Sequence, residues 1–285
     1  GHPLIVDYHN ITPAEYFDRW EPAAAASMRL ARAELAALSP AVGLGLADSS
    51  FNRAELDDLG YAHTATAPLL VDLGPFRRLP GPRPPATGAS PNGAPTQSRP
   101  SGARWLFVGR VAPNKCQHDL IAAFAVYRRL YDPAASLALV GGATSPRYRG
   151  ALQRMAANLG LGTSVQLLGG LPFPRLLAEY ASADVFVCLS EHEGFCAPLL
   201  EAMQLGVPTV AYAAAAVPET LGQAGILLGG KDPLHVALAV GGLLADPELR
   251  RSLVDAGLHR ASELGLAASS KTFLATLTGW LAETG

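Results

Sequence analysis

Six short, nearly continuous apolar runs punctuate the chain between residues 105 and 228, at 105–109, 136–141, 164–168, 184–189, 208–212 and 225–228. Each has the length of a strand, and none alternates apolar with polar residues as a half-exposed strand does. Strands that are apolar on both faces need helices on both faces. Stretches suited to that task separate the runs, at 118–130, 147–159, 174–181, 198–205 and 217–222. In the first of them Leu120, Ile121, Phe124 and Tyr127 recur at helical spacing. The alternation predicts an α/β fold in which a parallel, doubly wound sheet is flanked by helices. Three more helices are expected at 234–244, 247–264 and 269–282.

The chain upstream is thinner. Strands are expected at 4–8, 42–47 and 67–71, a long helix at 14–38 interrupted or kinked at Pro22, and a short helix at 52–59. These elements make about half of a second Rossmann-like lobe. Between the two parts, residues 74–103 are rich in Pro, Gly, Ser and Ala, a composition too poor in apolar surface to order itself. The expected organisation is therefore a partial N-terminal lobe at 1–73, a flexible linker at 74–103, a C-terminal Rossmann-like lobe at 104–264 and a terminal helix at 265–285.

Bulk properties exclude several classes. With 285 residues, 49% of them hydrophobic and 16% charged, the chain can fill two modest cores. A net charge of -2 offers no basic field for nucleic acid. Cys116, Cys188 and Cys196 show neither a CxxC spacing nor a neighbouring histidine pair, so the spacing predicts no zinc site and no disulfide framework. No apolar run reaches membrane-spanning length, and Gly1-His2-Pro3 does not begin a signal peptide. A reducing cytoplasm is the expected setting, with peripheral membrane contact left open, since Arg29 and Arg32 are too few to make a basic helix face. There is no Walker loop, no G-x-G-x-x-G fingerprint and no G-x-S-x-G elbow around Ser190, which argues against a nucleotide hydrolase of the P-loop type, a dehydrogenase and an acyl hydrolase.

Two strings carry chemistry. From Leu189 to Met203 a strand end opens through Gly194 into a helix with Pro198 near its start, and seven residues separate Glu193 from Glu201. A helix opening of this kind presents free N–H groups to an anion. From Phe107 to Lys115 the first strand of the C-terminal part runs into a loop carrying Arg110 and Lys115. By their types alone these are either two solvated cations or a planar fork and a mobile point charge that grip a diphosphate.

The string Glu193-Gly-Phe-Cys-Ala-Pro-Leu-Leu-Glu-Ala-Met203 resembles the E-x7-E signature of the retaining family 4 glycosyltransferases, which have the two-lobed GT-B fold. Gly109 to Lys115 resembles their G-R-x-x-x-x-K motif, with Cys116 standing where the family usually has Gly. The resemblance implies transfer of a sugar from a nucleotide-diphosphate sugar to the hydroxyl of an acceptor glycan, glycolipid or small molecule, with retained anomeric configuration and without a metal or other cofactor. It implies that Arg110 and Lys115, with the backbone around Phe195, Cys196 and Ala197, hold the diphosphate. Glu201 would take the ribose hydroxyls, and Glu193 and Gly194 the transferred sugar. The strand and loop containing Leu168, Gly170 and Leu171 resemble the family's base-binding wall. Leu4 to Asn10 resembles the N-lobe strand that ends in a histidine close to the sugar, which places His9 beside Glu193 as the catalytic pair. Asp48 to Asn52 resembles a late N-lobe loop without an assigned role, and His192 is expected to line the cleft.

The family's N-lobe opens with a strand and a glycine-rich loop upstream of anything in this sequence. The N-lobe is thus expected to be incomplete, with a second chain to complete it as one option. Two alternatives stand beside the transferase: a donor-binding subunit or inactive fragment without an acceptor site, and a GT-B-like epimerase acting on the free sugar nucleotide.

Overall fold

The computed structural model describes residues 4–76 and 102–284. Residues 77–101, most of the expected linker, lie outside the described residues.

The larger sheet has six parallel strands: β4 (Arg104–Val108), β5 (Ser136–Val140), β6 (Val165–Gly169), β7 (Val185–Cys188), β8 (Thr209–Tyr212) and β9 (Ile226–Leu228). Their spatial order is β6-β5-β4-β7-β8-β9. The chain therefore winds outward from β4 in one direction, then returns to the centre at β7 and winds outward in the other. The ends of β4 and β7 diverge at this reversal and leave a crevice, the usual ligand position in an open α/β sheet. Helices α3 (Gln117–Leu130), α4 (Pro146–Asn158), α5 (Phe173–Ser182), α6 (Ala197–Gln204), α7 (Val217–Leu221), α8 (Pro233–Ala245) and α9 (Pro247–Leu264) cover the sheet. Trp105, Phe107 and Phe186 from the strands are buried with Phe124 of α3 and Tyr180 of α5, which is why these strands carry no polar alternation.

The smaller sheet is also parallel, in the order β1 (Leu4–Tyr8), β2 (Val42–Ala47), β3 (Thr64–Thr66). The expected helix at 14–38 divides differently from the prediction. Ala14–Tyr16 form a single 3-10 turn, and α1 (Pro22–Leu38) begins at the proline. Pro22 lacks an N–H to bond backward but suits the first helical position, so it starts the helix and does not bend it. Helix α2 (Ser50–Asp58) starts two residues before the expected position because the Ser49 hydroxyl accepts from Asn52 N–H and caps it.

The strand expected at 67–71 is also displaced. β3 is Thr64–Thr66, and from Leu69 onward the chain leaves the sheet for the other lobe. Leu69, Val71, Leu73 and Phe76 join the C-lobe core, where Phe76 stands edge-on to Phe173 with ring centroids 5.2 Å apart. Val71 keeps one isolated bridge, to Gly265. Gly265 ends α9, and α10 (Leu266–Thr284) returns across the molecule to the smaller sheet. There Phe273, Leu277 and Trp280 pack on Leu44, Leu46 and Ala67. Among the described residues no helix is long and apolar enough to cross a membrane.

Candidate active site

Two loops meet in the crevice where the winding reverses. The first leaves β4, makes a single 3-10 turn at Pro113–Lys115 and enters α3 through Cys116. Cys116 has φ 51° and ψ 39°, the left-handed conformation that glycine adopts at least cost. Cysteine there changes the residue without abolishing the turn. The second loop leaves β7 and enters α6 through Cys196, which is left-handed as well, at φ 71° and ψ 59°. Pro198 sits in the first turn of α6, where its missing N–H breaks no helical bond.

The loops are joined by hydrogen bonds. Glu191 N–H donates to Asn114 O at 2.9 Å, and Asn114 Nδ2 donates to His192 O at 3.1 Å. Lys115 Nζ lies 3.2 Å from His192 O and 2.6 Å from Glu193 Oε2. Lys231 braces the loops from behind, with Nζ 2.5 Å from Glu191 Oε1 and 2.6 Å from Asp119 Oδ2. The Thr220 hydroxyl of α7 donates to Phe195 O at 2.5 Å and Ala216 N–H to Glu193 O at 3.2 Å, so the turn is fixed on a third side.

The N-lobe closes over this turn. A Cβ added to Gly194 would stand 2.7 Å from Asn10 Cβ, 2.8 Å from Asn52 Nδ2 and 3.1 Å from His9 O. Only a glycine lets the lobes approach so closely here. Asn10 Nδ2 donates to Asn52 Oδ1 at 2.6 Å, and Asn52 Nδ2 donates to Asp48 Oδ1 at 2.6 Å. His9, just past β1, is held between carboxylates, with Nε2 3.2 Å from Asp7 Oδ2 and Nδ1 3.6 Å from Asp48 Oδ2. Asp48 is 4% exposed, and burial raises its carboxyl while the bonds from Asn52 and His9 pull it back down. Farther along the interface, Ser50 N–H donates to Glu219 Oε2 at 2.8 Å.

The lobes enclose a cleft of about 360 Å³. His9, Asn10, Thr12, Asp48 and Leu69 line one side; Arg110, Lys115 and residues 192–198 line the other. The structure thus gathers His9, Arg110, Lys115, Glu193, Gly194, Phe195, Cys196 and Ala197 around one space. His192 also faces the cleft, packed edge-on to Phe51 at 5.5 Å, and burial lowers its imidazole from the ordinary range. Glu201 does not line the cleft. It lies in the second turn of α6, where Oε2 accepts from the Tyr180 hydroxyl at 2.7 Å; burial raises its carboxyl, and the Tyr180 bond lowers it in part. Leu168, Gly170 and Leu171 stand at the end of β6, two strands from β4, and do not line the cleft either.

Several contributors carry no local signal in the sequence. Tyr180 precedes Glu201 by 21 residues, Lys231 follows Cys116 by 115, and Asn52 follows Asn10 by 42. Asn10 and Asn52 close strings that the resemblance had singled out, but nothing in either string pairs them; an asparagine beside a strand end tolerates the φ of 90° at Asn10 better than most residues.

Residues 95–260, more than half of the chain, match the family model described as Glycosyl transferases group 1. The GDP-mannose-dependent alpha-(1-6)-phosphatidylinositol monomannoside mannosyltransferase of Mycolicibacterium smegmatis is 39% identical over 163 residues, covering 54% of this chain and 42% of that protein. The D-inositol 3-phosphate glycosyltransferase of Thermomonospora curvata is 34% identical over 182 residues, covering 61% and 42%. The matched part spans about two fifths of the length of these curated relatives. Among solved structures, Anabaena Alr3699/HepE in complex with UDP and glucose superposes with a TM-score of 0.76 at 20% identity, over 97% of this chain and 72% of that one. Sucrose-phosphate synthase from Thermosynechococcus elongatus gives 0.74 at 23%, over 99% and 68%. At such identities the likeness is one of fold, and the fold is GT-B. Joined to the match over residues 95–260, it makes this chain a member of the glycosyl transferases group 1 family.

Proposed function

We propose that the chain holds the donor site of a retaining hexosyltransferase that moves a sugar from a nucleotide-diphosphate sugar to an acceptor hydroxyl. The observation that carries the proposal is the Lys115–Glu193 pair, 2.6 Å apart, which joins the two loops of the switch point beneath His9. A diphosphate entering the cleft offers Lys115 two negative charges in place of one. Lys115 and Arg110 then hold the phosphates, and the amides at the α6 opening complete the cradle. Glu193, released from Lys115, accepts hydrogen bonds from the sugar hydroxyls.

The chemistry follows from where charge develops. As the bond from sugar to phosphate breaks, negative charge gathers on the departing diphosphate, and fixed cations and amides stabilise it without reorganising. The acceptor oxygen approaches from the face the phosphate leaves, and a phosphate oxygen takes its proton, so the configuration is retained. His9, oriented between Asp7 and Asp48, stands at the sugar on the N-lobe side. Protein cations fill the role a metal ion has in other diphosphate sites, so no metal cofactor is part of the proposal. Glu201 supplies a carboxylate whose ionised form is disfavoured by burial; ribose hydroxyls would donate to it and relieve that cost. The end of β6 would meet the base.

The M. smegmatis relative is GDP-mannose-dependent by name, which makes guanine the first base to test, and both relatives' names carry inositol-based acceptors. Calorimetric titration with GDP, UDP and ADP is the direct test. One of them should bind, and Lys115→Ala should weaken it by about 1.5–3 kcal/mol, the range for a hydrogen bond to a charged group. Glu201→Ala should weaken it as well. Binding of none, or unchanged affinity in both variants, would overturn the assignment.

A further inference from the structure

Beneath the glycine turn lies a pair of thiols that the proposed transfer does not use. Cys188, the last residue of β7, and Cys196, which opens α6, are free thiols with sulfurs 3.9 Å apart. A carboxylate oxygen of Glu193 falls within 4.8 Å of both sulfurs. Two thiolates bound at ~2.3 Å to one tetrahedral ion stand ~3.8 Å apart, so the two sulfurs already have the separation such an ion requires. The strand end and the helix opening that carry them are each fixed by the fold, Cys188 through the β7–β8 pairing and Cys196 through α6. A ligating side chain is thus required to move only at Glu193, which must give up Lys115.

From this geometry we infer a thiophilic divalent-cation site, formed by Cys188 Sγ, Cys196 Sγ and a Glu193 carboxylate oxygen, that competes with the donor site. Zinc is the ion such a donor set prefers, since soft sulfur with one carboxylate favours zinc over magnesium or calcium. Three protein ligands leave the fourth position to an anion or water. Cys196 and Glu193 both line the cleft, so an ion can enter from there. The ion has no part in sugar transfer. It removes Glu193 from the sugar, and it places a cation where Lys115 now has its partner. Both thiols must stay reduced to bind the metal.

A second thiol serves as the internal control. Cys116 lies in another candidate group, with His118 and Asp119, and its sulfur is 3.4 Å from Lys231 Nζ. Cobalt(II) replaces zinc in tetrahedral thiolate sites and reports sulfur ligation by a charge-transfer band in the near ultraviolet. The protein, kept reduced with a phosphine that does not chelate, is titrated with cobalt chloride alone. One equivalent should raise the band, and zinc chloride should bleach it. Cys188→Ser and Cys196→Ser should each abolish it, while Cys116→Ser keeps it; circular dichroism verifies that each variant is folded. Lys115→Ala should tighten cobalt binding about fivefold, the effect of removing one partly exposed cationic neighbour. Absence of the band in the parent protein, its loss in Cys116→Ser alone, or its persistence in a folded Cys196→Ser variant would overturn the site. The optical readout needs neither donor nor acceptor, so the site can fail while the proposed transfer activity stands, and the reverse.

Discussion

Gly194 is the position where one methyl group should move two lobes. An alanine Cβ would sit 2.7 Å from Asn10 Cβ and 3.1 Å from His9 O. Carbon atoms in ordinary contact lie about 3.5–4.0 Å apart, so the first of these distances falls short by ~1 Å. Neither obstacle can swing aside, because a Cβ and a carbonyl oxygen move only with their backbone. The third neighbour, Asn52 Nδ2 at 2.8 Å, is anchored by its bond to Asp48. The added methyl must therefore push the end of β1 off the turn. Overpacking of this kind costs about 1–3 kcal/mol, and the rigid contacts here argue for the middle of that range. At about 2 kcal/mol the folded-to-unfolded ratio falls about thirtyfold. Urea unfolding of Gly194→Ala should show a lower midpoint with the slope unchanged, and nucleoside diphosphate affinity should drop with it. Asn10→Gly deletes the nearest obstacle at a residue whose φ of 90° suits glycine. The double variant should recover part of the loss, with a coupling of at least ~0.5 kcal/mol. A Gly194→Ala protein with the parent's midpoint and affinity would refute the tight seating of the lobes on this turn.

Two further outcomes are expected. Glu201 binds its proton more tightly in the folded chain than in the unfolded one, so its contribution to stability falls as pH rises from the unfolded carboxyl range through the raised folded one. Glu201→Gln keeps an oxygen for the Tyr180 hydroxyl and removes the charge; it should stabilise the ligand-free protein at neutral pH by an increment that vanishes in acid, and a gain independent of pH would contradict this cause. Trp280→Ala removes a side chain that is 9% exposed between α10 and β2, at a cost of about 3–5 kcal/mol. Hydrogen exchange should then quicken in β1 to β3 and not in β4 to β9, whereas uniform quickening would mean that the lobes unfold as one unit.

How far the sequence was legible depends on the range of the interactions. The six apolar runs became strands whose ends shifted by about one residue, because a strand buried on both faces writes its burial into every position. Arg110, Lys115 and Glu193 were expected in one site only because their two strings resemble the family's motifs; the strand order that sets the ends of β4 and β7 side by side is not written in either string. Pro22 was ambiguous because one proline suits both a kink and a first turn. The run at 67–71 misled because Leu69 and Val71 pack against the other lobe and not into a sheet of their own. The seat of Gly194 on Asn10 and Asn52, and the bond from Tyr180 to Glu201, join residues far apart in the chain. No local pattern announces such contacts.

The bridge between Val71 and Gly265 has a mechanical consequence. The chain passes from the N-lobe to the C-lobe through the segment after β3 and returns between α9 and α10, and Val71 and Gly265 lie at these two passages. Two tethers pinned side by side act as a hinge pin. They allow the lobes to open and shut about the line through them, and they resist swivelling, which would stretch one tether against the other.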